Sequence, residues 1–137
     1  MQVFKYIPAV VITILLGCGS GDPLLASRES SNRSGYQLVG VASYYADDFH
    51  GHRTSNGEVY DEHSLTAAHR TLPFNTMARV VNLKNGKSVV VRVNDRGPFK
   101  KDRVIDLSLE AAKRLGLVTN GTASVRIEVL TLGHDSE

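Results

Sequence analysis

Apolar and polar positions alternate along much of the chain and divide it into short elements. Leu38–Ala46 ("LVGVASYYA") alternates as a half-buried strand does. Two further apolar runs, Met77–Leu83 ("MARVVNL") and Ser88–Asn94 ("SVVVRVN"), flank Lys84-Asn85-Gly86-Lys87. An Asn-Gly pair between β-branched runs predicts a hairpin, because the tight turn needs left-handed dihedrals that Asn and Gly tolerate. Arg103–Ser108 ("RVIDLS") and Ser124–Leu132 ("SVRIEVLTL") predict two more strands. Between them, Leu109–Gly116 ("LEAAKRLG") predicts a helix capped by Ser108. Glu110 stands in its first turn, Lys113 and Arg114 stand in its last, and Gly116 ends it. Ser64–Thr71 ("SLTAAHRT") predicts a short helical turn that Pro73 stops. Many short strands, one hairpin and one or two short helices in about 95 residues predict a mainly β fold, a small β-barrel.

The first 36 residues follow another pattern. An apolar run from Ile7 to Leu16 is too short to span a bilayer comfortably and has the shape of a secretory signal. It ends in Leu15-Leu16-Gly17-Cys18, which resembles the lipobox of bacterial lipoproteins; a plain signal peptide or a short anchor is the alternative. On the lipobox reading, residues 1–18 are a signal peptide and Cys18 carries the lipid. Two or three acyl chains there hold a protein on a membrane far more firmly than one. Gly19, rather than Asp, follows the cysteine, which suggests a periplasm-facing outer-membrane lipoprotein in a Gram-negative cell. Residues 19–36 are rich in Ser, Gly and charge and read as a tether. The folded domain is expected over 37–132, with a polar tail at 133–137.

Composition narrows the chemistry. The 137-residue chain has a net charge of +2, so no basic footprint points to nucleic acid. Its single cysteine excludes an intrachain disulfide framework and a cysteine-based zinc site. His50 and His52 have a chelating spacing but no further ligands at plausible positions, so no metal is expected. No phosphate-binding glycine loop and no nucleophile elbow occur, so no cofactor is expected either.

What remains is a set of acids and a histidine. Asp47–Ser64 is a long irregular stretch, a length usually kept for function. In and after it stand Glu58, Asp61, His63 and His69, and Asp95 closes the strand of "VVVRVNDRGPF" (Val89–Phe99). An Asp at a strand end either caps a turn or is held rigidly at the lip of a groove. Carboxylates and a histidine without an activated Ser or Cys suit proton transfer at a glycosidic bond. They suit a sugar-binding groove equally well.

Three blocks make the chain specific: Gly57-Glu58, Leu65–Phe74 ("LTAAHRTLPF") and Val93–Phe99 ("VNDRGPF"). With them, Val39–Val129 resembles the rare lipoprotein A family, endolytic lytic transglycosylases of the bacterial wall. The resemblance implies a six-stranded double-psi β-barrel, the fold shared with expansins, with a groove for a peptidoglycan glycan strand. It carries the family's implicated positions onto Glu58, Asp61, His69 and Asp95. It implies a non-hydrolytic lyase that cleaves the MurNAc–GlcNAc bond and leaves 1,6-anhydroMurNAc ends. Asp95 would be the general acid, and then the base that takes the proton of the 6-hydroxyl. To be protonated near neutral pH it needs a raised pKa, from burial or from Glu58 or Asp61 nearby. His69 is expected to bond one of these acids. Tyr44 and Tyr45 are expected as sugar-stacking faces, and Arg70 and Arg96 as further substrate contacts. The expected partners are glycan strands, stem-peptide-free ones among them, and the membrane through Cys18; the protein is expected to be a monomer. Two rivals stand beside this reading: an expansin-like binding module, and an inverting hydrolase using Asp95 with Asp47 or Asp48.

Overall fold

In the computed structural model, which describes residues 35–134, the alternating segments become six strands. They are β1 (Gln37–Tyr44), β2 (Thr66–Ala68), β3 (Met77–Asn82), β4 (Ser88–Asp95), β5 (Arg103–Leu107) and β6 (Ala123–Thr131). One helix, α1 (Leu109–Leu115), and a 3-10 turn at Asp47–Phe49 complete the elements. The expectations for the signal peptide, Cys18, nearly all of the tether and the last three residues of the tail lie outside the described residues.

The strands close in the order β1-β5-β2-β4-β3-β6, with β6 returning to β1. β1 with β5 and β2 with β4 are parallel, and the other pairs are antiparallel. This is the six-stranded double-psi β-barrel that the resemblance implies. Small residues make so narrow a barrel possible. Ala42, Ala67 and Ala78 are fully buried and leave room for Ile105, Leu107, Val80, Val91, Val125 and Ile127 to fill the interior. Gly40 serves a similar end, since a Cβ there would stand 2.2 Å from Val104 Cγ1 on the neighbouring strand.

The hairpin forms as the Asn-Gly pair predicts, with Gly86 at φ 76°. The helix also forms as its caps predict. Ser108 Oγ accepts the Ala111 N–H, and left-handed Gly116 donates back to Ala112 and Lys113. The helical turn expected within Ser64–Thr71 does not form; Thr66–Ala68 is strand β2. All three residues are buried between β4 and β5, and pairing on both sides outweighs alanine's helical preference.

β2 also stands between two acidic positions. Ala68 pairs with Asp95 on one neighbouring strand and with Asp106 on the other.

Candidate active site

β4 runs out at Asp95, and its carboxylate gathers four donors. Oδ1 accepts from Ser55 N (2.9 Å), Ser55 Oγ (2.7 Å) and Arg96 N (2.9 Å); Oδ2 accepts from the Tyr45 hydroxyl (2.7 Å). Local turn-capping is therefore one contact of four, and the other three come from residues at least 40 positions away. Asp95 sits in an open groove of about 630 Å³ whose lining includes Ser43, Tyr44, Tyr45, Phe49, Ser55, Phe99 and Asp106.

The expected upward shift of Asp95 is not found in the free protein. Burial pushes its proton affinity up, but the bonds from Ser55 and Tyr45 and from the Ser55 and Arg96 N–H groups outweigh it. Its pKa lies below the ordinary aspartate value. The reason is hydrogen bonding to the charged form.

Tyr45 lines the groove and also has a task beyond the one expected. Its ring packs on Tyr60 (4.6 Å between centroids) and Phe49 (5.8 Å), and its hydroxyl is spent on Asp95. Burial first, then the Asp95 bond, pushes this phenol far up, so it remains a proton donor. Tyr44 also lines the groove, with its hydroxyl 3.5 Å from the Val118 carbonyl. The most exposed aromatic face on the groove is Phe99, at 90%. The block Val93–Phe99 includes it, but its exposure is not legible there, because an apolar residue after Gly-Pro reads equally well as buried.

Glu58 does not crowd Asp95 with charge. It forms a two-point pair with Arg92, at 2.7 and 2.6 Å, and accepts from Asn56 Nδ2 (2.8 Å) and Asn94 Nδ2 (3.4 Å). The Arg92 bond, opposed by burial and reinforced by Asn56 and Asn94, lowers its pKa from 4.5 to about 2. Glu58 is therefore an anion that ties its loop to β4, and the same loop delivers Ser55 to Asp95. The stability this pair contributes is complete above about pH 4.5 and is lost as pH falls through about 2. Glu58→Gln should flatten that part of the stability–pH curve, measured by denaturant unfolding between pH 2 and pH 6. An unchanged slope would mean that the pair contributes nothing.

The other expected site residues are dispersed. Asp61 is exposed and caps its own turn, accepting from His63 N (2.9 Å) and Ser64 Oγ (3.2 Å); the His63 N–H is the main reason its pKa is lowered. It does not line the groove. His69 is buried, and its Nδ1 accepts from the main-chain N–H groups of Thr71 (3.2 Å) and Leu72 (3.0 Å) rather than meeting a carboxylate. Burial, then the charges of Arg96 and Arg70, lower its pKa and keep it neutral. Its main-chain N–H donates to the Asp95 carbonyl at 3.1 Å, so it fixes backbone beside the acid.

Arg70 and Arg96, expected as substrate contacts, both hold main chain, and Arg96 also lines the groove. Arg70 donates to the carbonyls of Pro98 (2.8 Å) and Lys100 (2.5 Å) and so pins the segment carrying Phe99. Arg96 donates to Leu72 (2.7 Å) and His69 (3.2 Å) and lies over the Phe74 ring. Asp47 and Asp48 belong to an exposed turn and do not line the groove. His50 Nδ1 accepts from Glu62 N, and His52 meets the ring of Phe49 edge-on. Among the described residues, no three His, Cys, Asp or Glu side chains form a group able to hold a metal.

Comparison with known proteins agrees with this architecture. The chain is 58% identical over 101 residues to the endolytic peptidoglycan transglycosylase RlpA of Vibrio cholerae, covering 74% of this chain and 38% of that protein. It is 61% identical over 93 residues to the protein of the same name from Pseudomonas aeruginosa strain UCBPP-PA14, covering 68% of this chain and 27% of that one. The chain thus spans well under half the length of these curated relatives. Among solved structures, an expansin of Clavibacter michiganensis superposes with a TM-score of 0.55 at 21% identity, over 69% of this chain and half of that one, which is a likeness of fold. The model of the lytic transglycolase family matches residues 37–127, and the chain belongs to that family.

Proposed function

We propose that this domain cleaves the β-1,4 bond between MurNAc and GlcNAc in peptidoglycan glycan strands, without water, and leaves 1,6-anhydroMurNAc ends. The observation that carries the reading is Asp95: one carboxylate, fixed by Ser55, Tyr45 and Arg96, facing an open groove. A single acid suffices when the nucleophile belongs to the substrate. Asp95 gives its proton to the bridging oxygen as the C1–O bond breaks. The sugar's own 6-hydroxyl oxygen bonds to C1 and returns its proton to Asp95.

In the free protein Asp95 is poised as the anion. Burial is the largest influence on it and acts upward. A glycan strand laid in the groove removes the remaining water and strengthens that influence, so substrate binding itself drives Asp95 toward its acid form. Phe99, exposed at the groove, supplies an apolar face for a sugar ring.

The poised anion also supports a second reading, an expansin-like module whose acid accepts hydrogen bonds from sugar hydroxyls and cuts nothing. Incubation with purified, insoluble peptidoglycan separates the two. The catalytic reading expects soluble fragments that increase with time. Sedimentation of the protein with the wall and no soluble fragments would favour the binding module.

In the same reading a lipid on Cys18 holds the domain on the periplasmic side of the outer membrane. Its support is the Leu15-Leu16-Gly17-Cys18 motif after an apolar run. Cys18→Ser should abolish fatty-acid labelling; equal palmitate incorporation in the variant would refute the anchor.

A further inference from the structure

The groove holds a second carboxylate that the one-acid mechanism leaves without a task. Ser43 on β1 pairs with Asp106 on β5, Asp106 with Ala68 on β2, and Ala68 with Asp95 on β4. Four adjacent strands thus present one row. Side chains in such a row emerge on the same face of the sheet; β4 joins it through a register shift after Val93, and Asp95 lines the same groove as Ser43 and Asp106. The core identifies that face: Ala42, Ala67, Ile105 and Leu107 point into the barrel, so Ser43, Ala68 and Asp106 point away from it. Between the two acids Ala68 offers only a methyl group. Two strand spacings put the Asp95 and Asp106 Cα atoms about 9–10 Å apart, about the width of a pyranose ring with its substituents. Both line the groove.

Asp106 is also held. Ser43, itself buried, donates its hydroxyl to Asp106 Oδ1. The Asp106 charge is close enough to add to the upward push on the Tyr45 phenol, behind burial and Asp95.

Resting on the transglycosylase reading, we infer that Asp106, aligned by Ser43, is a second catalytic carboxylate. It faces the positive charge that develops on the MurNAc ring while Asp95 protonates the leaving oxygen. Asp106 acts through its position and charge alone and forms no bond to carbon. The proton travels from Asp95 to the leaving oxygen and back from the 6-hydroxyl. A fixed anion opposite developing cationic charge is the mirror of an oxyanion hole, where one preorganised group contributes about 10²–10³-fold.

The alternative is that the Ser43–Asp106 bond merely stitches β1 to β5. Asp106→Asn separates the two, because the amide oxygen still accepts from Ser43 while the charge is gone. Soluble, peptide-free glycan strands serve as substrate, with product ends read by mass and folding checked by thermal unfolding. The expected result is a folded Asp106→Asn protein with kcat lower by about 10²-fold or more and KM within a few-fold of wild type. A wild-type kcat in Asp106→Asn would overturn the inference and leave the transglycosylase reading intact. Should that variant fail to fold, Ser43→Ala keeps the charge and frees it; an intermediate loss of kcat is expected, and an unchanged kcat would overturn the inference. A wild-type protein that yields no anhydro ends refutes the underlying reading, and this inference with it.

Discussion

Asp95→Asn is expected to lower glycan cleavage by about 10²–10⁴-fold, the usual contribution of a general acid–base group, while leaving the barrel folded and able to bind the wall. The variant should fold because the amide oxygen still accepts from Ser55 and Arg96, the donors now grouped on Oδ1. The Tyr45 hydroxyl can turn to act as acceptor for the new amide. What the variant lacks is a proton to give and take at the groove floor. Initial rates of fragment release, beside sedimentation with insoluble peptidoglycan, separate the two properties. Cleavage at the wild-type rate would make Asp95 a residue that organises its loop and nothing more.

Tyr45→Phe should move the alkaline limb of the activity profile upward. The Tyr45 hydroxyl stabilises the Asp95 carboxylate at 2.7 Å and is one of the reasons its pKa lies below the ordinary value. Losing a hydrogen bond to a charged group is worth about 1.5–3 kcal/mol, hence about one to two pH units. The sign follows from which form the bond favours. Without the donor, Asp95 keeps its proton to higher pH, so the acid form needed for leaving-group departure survives further into the alkaline range. Stability moves the other way: the contribution of ionised Asp95, present above its unfolded pKa and lost on acidification, shrinks in the variant. The packing on Tyr60 and Phe49 is retained, so folding should persist. A limb that stays in place would show that Tyr45 holds the ring cluster and does not tune the acid.

The barrel is largely legible in the sequence because its elements are locally determined. Asn85-Gly86 specifies the hairpin, and Ser108 and Gly116 specify the helix ends. Thr66–Ala68 departs from expectation because three residues rich in alanine carry a helical preference, while the strand exists only through partners 26 and more positions away. The acids divide in the same way. Asp95 announces itself at a strand end. The Glu58–Arg92 pair links a loop to a strand 34 positions on, and no spacing rule connects them. Asp106 carries a weak signal, an acid between the buried Ile105 and Leu107, and it gains meaning only when the strand order sets β5 two places from β4. Ser55 belongs to the same class: a serine in an irregular loop, important because folding carries it to Asp95. The main-chain bonds of Arg70 and Arg96 are not legible, because a guanidinium in a polar motif looks the same whether it waits for a ligand or holds carbonyls of its own chain.

The chemistry of the new chain ends decides between transglycosylase and hydrolase. Purified peptidoglycan digested in ¹⁸O-water should release fragments ending in 1,6-anhydroMurNAc, lighter than a hydrolytic fragment by one water (about 18 mass units) and free of the heavy isotope, because the nucleophile is the sugar's own hydroxyl. Reducing ends carrying ¹⁸O would contradict this mechanism and make the groove the site of a hydrolase, with Asp95 and Asp106 as its two carboxylates.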